Sequence, residues 1–180
     1  MLGREVTLQL RERGHIAVAC DRRRLDVTDA SRARAIIGDA SPEAVIHCAA
    51  LTNVDAAEAE PELAHRVNVD GTANVARAAG EAGARLLYVS TDYVFDGLAD
   101  RPYLPDSPAQ PAGVYGRSKL EGEHAAELAG DRLIARTSWV YGRGGSNFGS
   151  RALELARAGK PLRAIADQRS VPTWVRDTAD

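Results

Sequence analysis

Arg85-Leu-Leu-Tyr-Val-Ser-Thr-Asp92 (RLLYVSTD) is the stretch whose reading decides the fold. It runs apolar without alternating and then breaks into a Ser-Thr-Asp cluster, the pattern of a strand covered on both faces that ends at a polar rim. Runs of the same kind lie at His15–Asp21 (HIAVACD), Ala44–Ala50 (AVIHCAA), Arg132–Gly142 (RLIARTSWVYG) and Leu162–Asp167 (LRAIAD). Each is expected to be a strand. Helical stretches alternate with them. Leu63, Val67, Gly71, Val75 and Ala79 recur every four residues as one apolar stripe, and Gly83 stands just past its end as a stop. Val6 and Leu10 form a shorter stripe ending at Gly14. This alternation predicts an α/β fold, a doubly wound and mostly parallel sheet with flanking helices.

The bulk numbers narrow the class. At 180 residues and 44% hydrophobic content the chain can bury one substantial core, so one domain is expected, with a partial second. Lys plus Arg number 23 against 25 Asp plus Glu, a balance that argues against nucleic acid as a partner. No run of about 18 apolar residues is present to span a membrane. Met1-Leu2-Gly3-Arg4-Glu5 lacks the charged head and apolar stretch of a signal peptide. A cytoplasmic protein is the expectation. Cys20 and Cys48 both sit inside apolar runs, where they read as buried thiols rather than a disulfide or a metal site. No metal centre is expected.

Two stretches are irregular. Asp96 to Gly113 carries Pro102, Pro105, Pro108 and Pro111, too many for a helix or an inner strand. A connection of that length is usually functional or disordered. It joins the end of the RLLYVSTD strand to the next helix, so it is expected to form the rim of a ligand site and to gain order when the site is filled. Gly142 to Ser146 (GRGGS) resembles a phosphate loop only superficially: its spacing fits neither G-x-G-x-x-G nor a P-loop, and no Lys-Ser/Thr follows.

The strongest chemical signal is Tyr115-Gly116-Arg117-Ser118-Lys119, a Tyr-x-x-x-Lys at the start of a helical stretch. One helical turn separates phenol and ammonium, so both project from one face. A free Tyr titrates near ~10, and a nearby cation favours the phenolate and lowers that value. Alone the pair is common and reads as two surface residues on a helix. Upstream, however, Ser90-Thr91-Asp92-Tyr93 ends a buried strand, and ligands of parallel α/β sheets sit at the carboxyl ends of strands. Thr91 is therefore expected to meet Tyr115. The plainer alternative is that Thr91 and Asp92 cap the following turn.

Ser90 to Gly97 (STDYVFDG), Val114 to Leu120 (VYGRSKL) and Arg136 to Gly142 (RTSWVYG) together resemble the diagnostic blocks of the dTDP-4-dehydrorhamnose reductases, of the extended short-chain dehydrogenase/reductase superfamily. Leu25 to Asp29 (LDVTD), His47 to Ala50 with Thr52, Val54 and Asp55, Glu60 to Ala64 (EPELA), and Asp167-Gln168 with Pro172-Thr173-Trp174 support the likeness in the same order. The resemblance implies a Rossmann-like domain over 1–145 and, over 146–180, a crossover into an incomplete sugar-nucleotide-binding part. It implies that Thr91, Tyr115 and Lys119 are the catalytic set. Tyr115 would protonate the C4 oxygen of dTDP-4-dehydro-L-rhamnose as hydride arrives from NADPH, giving dTDP-L-rhamnose for polysaccharide biosynthesis. Lys119 would hold the nicotinamide ribose and lower the Tyr115 pKa. Thr91 would hydrogen-bond the reacting oxygen. Thr91, Asp92 and Trp139 match substrate-contacting positions, although a Trp after a strand is also ordinary core. A homodimer of the longer protein is a candidate assembly.

The cofactor reading is split. By the same resemblance Asp26 and Val27 flank the adenine, and Ala49, Ala50, Leu51 and Thr52 form the strand-end turn beside ribose and phosphates. Asp21 ends a predicted strand where an acidic residue favours NAD, yet Arg22 and Arg23 follow and could meet a 2′-phosphate. The resemblance implies NADPH, with NADH tolerated. The family begins with a strand and a G-x-x-G-x-x-G turn, of which only Gly3 has a counterpart here. The first strand and most of that turn, roughly 10 residues, are therefore expected to be missing. The chain is read as a fragment that binds the dinucleotide poorly by itself.

Rival chemistries differ at named positions. A dehydratase of the superfamily would carry a Glu base where Tyr93 stands. An epimerase would share the Tyr and Lys but not the STDYVFDG block. A non-catalytic regulatory subunit would have lost Tyr115 or Lys119, and both are present.

Overall fold

The computed structural model describes residues 1–145, 147–163, 165 and 168–180. They form two compact units, Cys20–Arg136 and Met1–Ala19 with Thr137–Asp180.

The unit Cys20–Arg136 is built on a sheet of β1 (Ala44–His47), β2 (Arg85–Thr91) and β3 (Arg132–Thr137), in that order. β1 and β2 run parallel, with Ala44 opposite Arg85 and His47 opposite Tyr88. Leu86 donates its N–H to the carbonyl of Asp131, at 3.0 Å, where β3 begins. The flanking helices are α2 (Ala30–Ala40), α3 (Val54–Ala59), α4 (Pro61–His65), α5 (Gly71–Glu81) and α6 (Val114–Ala125). The α/β fold with parallel strands and flanking helices is as the sequence predicts.

The predicted four-residue stripe runs along one helical track: α4, a π-helical segment Arg66–Asp70, then α5. Val75, Ala76, Ala78 and Ala79 pack into a core with Leu86 and Tyr88 of β2, Val27, Ile37 and Ala126. Small side chains on α5 let the helix lie close to the sheet, and burying the branched ones contributes roughly 1.5–3 kcal/mol apiece. Gly83 ends α5 in the left-handed region (φ 69), where a side chain would be strained. Ala84 then donates to the Ala79 carbonyl (2.9 Å) and Gly83 to that of Gly80 (3.1 Å), which satisfies carbonyls the helix end would leave bare.

α6 carries the Tyr-x-x-x-Lys pair, and two of its glycines are close-approach positions. A Cβ on Gly116 would collide with the Tyr93 carbonyl oxygen, and one on Gly122 with the Tyr88 hydroxyl and the Asn68 carbonyl. The helix can therefore sit directly on the end of β2 and on the π segment.

In the other unit α1 (Leu2–Glu12) packs on α8 (Val175–Ala179), with Gln9 Nε2 donating to the Arg176 carbonyl at 2.8 Å. α1 ends at Gly14 as predicted, and His15 donates to the Leu10 carbonyl at 2.9 Å. β4 (Val140–Tyr141) and β5 (Thr173–Trp174) pair in parallel, and α7 (Phe148–Arg157) starts on a capping box made by Asn147 and Ser150.

Three expectations need correction. His15–Asp21 is not a strand: Ile16 is 97% exposed, and none of its residues joins a ladder. Apolar composition suggests a strand, but a strand exists only where a neighbour takes up its main-chain groups. Cys20, in that segment, is consequently exposed rather than buried. The run Arg132–Gly142 is two strands, broken at Ser138-Trp139, where Trp139 has φ 39. The strand predicted over Leu162–Asp167 falls partly on 164, 166 and 167, and the GRGGS turn partly on 146; these lie outside the described residues.

The glycine geometry gives a paired prediction. Gly116→Ala forces a methyl against backbone and should lower stability by about 1–3 kcal/mol. Gly38→Ala, with open space in α2, should raise it by up to about 1 kcal/mol. Urea unfolding of the two variants checks this, and equal effects would contradict it.

Candidate active site

Thr91 closes β2, and its hydroxyl is set by two local bonds: it accepts the Tyr93 N–H and donates to Asp92 Oδ1, both at 3.2 Å. The predicted cap is thus real. The Thr91 side chain also interacts with the Tyr115 phenol, so the two readings of Thr91 hold together. Tyr115 stands at the second residue of α6, buried, with its ring edge-on to Tyr93 at 5.5 Å between centroids. Lys119, one turn on, is only 2% exposed. Its Nζ donates to the Val89 carbonyl (2.8 Å) and lies 4.0 Å from the centre of the Tyr88 ring. Thr91, Tyr115 and Lys119 therefore converge where β2 meets α6.

Burial sets their protonation. It pushes the Tyr115 phenol up, opposed by the Thr91 hydrogen bond and reinforced by Asp92 and Tyr93. The phenol lowered by Lys119, expected from the sequence, is not what this arrangement produces: the ammonium is turned to Val89 and Tyr88. Burial brings Lys119 down to about 7, with the Glu123 and Cys48 charges pulling it back up. His47, fully enclosed, is lowered to about 3 by burial and then by Lys119. Thr72 donates its hydroxyl to the Asn68 carbonyl (2.7 Å), so it accepts from His47 Nε2 (3.2 Å), which fixes the neutral tautomer.

Past β1 the chain leaves the sheet in a turn, Ala49 to Thr52, with Ala49 and Thr52 exposed and Ala50 and Leu51 half-buried. Asn68 holds this turn. Its amide oxygen accepts the Leu51 N–H (2.7 Å), and Nδ2 donates to the Leu51 carbonyl (3.2 Å) and to Ser118 Oγ of α6 (2.9 Å). Glu58 adds a second tie, accepting the Val114 N–H at 2.6 Å at the start of α6. Neither residue was singled out from the sequence. The available signal was an Asn one place off an apolar stripe inside a helix, where such a side chain tends to compete with the backbone.

The remaining predicted residues are placed as follows. Asp26 accepts from the Thr28 N–H and hydroxyl, and the Thr28 bonds hold its carboxyl below the usual range. Val27 is buried against Gly71. Asp21 Oδ1 accepts the N–H groups of Arg23 and Arg24, so it caps a local turn. Gly3 lies in the first turn of α1, and Trp139, partly exposed, lies in the same unit as Gly3. The structure thus brings Thr91, Tyr115 and Lys119 together and ties them, through Asn68, to Ala49–Thr52. Among the described residues no helix is long and apolar enough to cross a membrane.

Known proteins resemble the chain over its whole length. The family model described as "RmlD substrate binding domain" matches residues 1–180. A dTDP-4-dehydrorhamnose reductase of Streptomyces griseus is 44% identical over 182 residues, covering 100% of this chain and 60% of that protein. One from Mycolicibacterium smegmatis is 41% identical over 180 residues, covering 98% of this chain and 54% of its own length. The crystal structure of dTDP-4-dehydrorhamnose reductase from Bacillus anthracis in complex with NADP is similar with a TM-score of 0.93 and 37% identity, over 99% of this chain and 64% of that one. The chain therefore spans 54–64% of the length of these relatives.

The buried His47 yields a pH test. Between about pH 3 and 6.5 the unfolded chain binds a proton at His47 that the folded chain refuses, so stability rises with pH through that window. The urea midpoint should climb between pH 4.5 and 6.5, and His47→Asn should flatten the climb. An identical slope in the variant would contradict the assignment.

Proposed function

The chain belongs to the RmlD substrate-binding-domain family, and from that premise we propose that the whole protein reduces the C4 ketone of dTDP-4-dehydro-L-rhamnose to dTDP-L-rhamnose with NADPH. The observation that carries the reading is the convergence of buried Thr91, Tyr115 and Lys119 at the carboxyl end of β2, with Tyr93 where a dehydratase would need a carboxylate base. The named relatives support it.

The residues present suit a dinucleotide. The Ala49–Thr52 turn offers small, partly open residues beside main chain fixed by Asn68, and Lys119 brings a buried cation to the end of the neighbouring strand. Ala49 to Thr52 would hold ribose and phosphates, Asp26 and Val27 would flank the adenine, and Tyr115 and Lys119 would face the nicotinamide ribose. When bound, the cofactor supplies a hydride.

The protein's own share follows from its electrostatics. A phenol pushed up by burial stays protonated at neutral pH, which suits a donor rather than a base. As negative charge develops on the C4 oxygen, Tyr115 passes it the phenolic proton. Thr91 donates a hydrogen bond that steadies the charge, and Lys119 is held one turn away to meet the nicotinamide ribose. The burial of Thr91, Tyr115 and Lys119 strengthens each of these interactions. Asp92 contacts the sugar in this reading; Trp139, in the other unit, is a separate candidate contact. A cytoplasmic location, the dTDP-sugar as partner and a homodimer of the whole protein belong to the same proposal.

Tyr115→Phe in the whole protein should lower kcat by about 10²–10⁴-fold while the unfolding midpoint changes little. Steady-state kinetics with the 4-keto sugar nucleotide test this. Full activity in the variant would sink the proposal.

A further inference from the structure

The segment joining Thr91 to Tyr115 carries Pro102, Pro105, Pro108 and Pro111 and is mostly exposed; Glu58 and Arg117 hold its far end, and the Arg136 guanidinium holds its middle. Arg136, on β3, makes a forked ion pair with Glu123 of α6: Nε to Oε1 at 2.9 Å and Nη2 to Oε2 at 2.7 Å. Its remaining Nη1 donates to the Pro105 carbonyl at 3.2 Å. Its Cζ lies over the Phe95 ring, 5.0 Å from the ring centre. Phe95 in turn stacks on Tyr103, with centroids 4.3 Å apart and planes 6° from parallel. The Tyr103 hydroxyl donates to Asp96 Oδ1 (2.5 Å) and accepts the Ala99 N–H (3.1 Å), which folds the loop onto itself.

Glu123 is equally well connected on the other side. Its carboxylate, 8% exposed, also accepts the Ser90 hydroxyl at 2.5 Å. Ser90 immediately precedes Thr91, and Glu123 lies one helical turn beyond Lys119. We infer that Arg136 and Glu123 are a positioning pair that clamps the Pro-rich segment 96–113 to the strand end carrying Thr91 and the helix carrying Lys119, and so fixes the wall against which the sugar nucleotide docks. The inference rests on the reading of Thr91, Tyr115 and Lys119 as the active site.

A purely stabilising ion pair would not need this geometry. Buried pairs are weak sources of stability, because desolvation offsets much of the Coulomb gain. Here what is left over after pairing goes to the loop: one N–H to Pro105 and the cation over Phe95. Lysine has neither the fork nor the face, so it cannot hold both sides at once. The cation over Phe95 also gives the aromatic pair a reason to stand where it does.

The test uses the whole protein with Arg136→Lys, Arg136→Met and Phe95→Leu. Amide hydrogen exchange is followed in 96–107, together with KM for the 4-keto sugar nucleotide, kcat and the NADPH Kd. All three variants should exchange about tenfold faster or more in that segment, while β2 and α6 keep their protection. KM should rise about tenfold, with kcat and NADPH Kd within about threefold. Arg136→Lys should fail to rescue, although it keeps the charge. Unchanged exchange in 96–107, or exchange raised equally across β2 and α6, would overturn the clamp. If Arg136→Met does not fold, the other two variants decide. If the whole protein reduces no 4-keto sugar, the functional reading fails, and exchange alone still decides the clamp.

Discussion

Asn68 sits fully buried with its amide oxygen on the Leu51 N–H and its amide nitrogen shared between the Leu51 carbonyl and the Ser118 hydroxyl. Three elements meet at that one side chain: the turn after β1, the π segment that bears it, and α6. A buried amide stripped of such partners costs about 1–3 kcal/mol, so the three can part only by exposing polar groups to an apolar interior. The π form is itself uncommon and concentrates at functional sites. With the turn and α6 locked in register, Lys119 and Tyr115 have one place to go.

The electrostatics follow from that placement. Tyr115, Lys119 and Glu123 recur every four residues and share one face of α6. Burial disfavours charge on Tyr115 and Lys119, and each is answered differently. Tyr115 stays a neutral phenol. Lys119 keeps its proton only weakly, supported by the Val89 carbonyl, the Tyr88 face and the Glu123 charge. Glu123 is paired by Arg136 on both oxygens. A phenol pushed up and an ammonium brought down one turn apart form the kind of pair that acid–base chemistry near neutral pH uses.

Much of this was legible in the sequence where it depended on local pattern. The stripe from Leu63 to Ala79, the stops at Gly14 and Gly83, β1, β2 and the meeting of Thr91 with the Tyr115–Lys119 pair follow from periodicity, turn chemistry and spacing. What failed needed a partner the pattern does not name. His15–Asp21 has strand composition but joins no ladder, and Cys20 is exposed with it. Trp139 breaks an apolar run that reads as one strand, because a left-handed residue leaves no trace in hydropathy. Asn68, Glu58, Glu123 and Arg136 were missed for the same reason: each acts across more than ten positions of sequence, and only folding brings its partners to it. The sign of the Tyr115 shift also depended on burial, which spacing alone does not reveal.

The central claim is that this constellation delivers a proton to a C4 oxygen while C4 takes a hydride. Incubating the whole protein with dTDP-4-dehydro-L-rhamnose and NADPH deuterated at the transferable position of the nicotinamide, then reading the sugar by NMR, tests it most directly. The account predicts one deuterium, at C4 of the product and nowhere else on the ring. A sugar that returns without deuterium at C4, or with solvent hydrogen exchanged at a neighbouring carbon and the ketone intact, would contradict it.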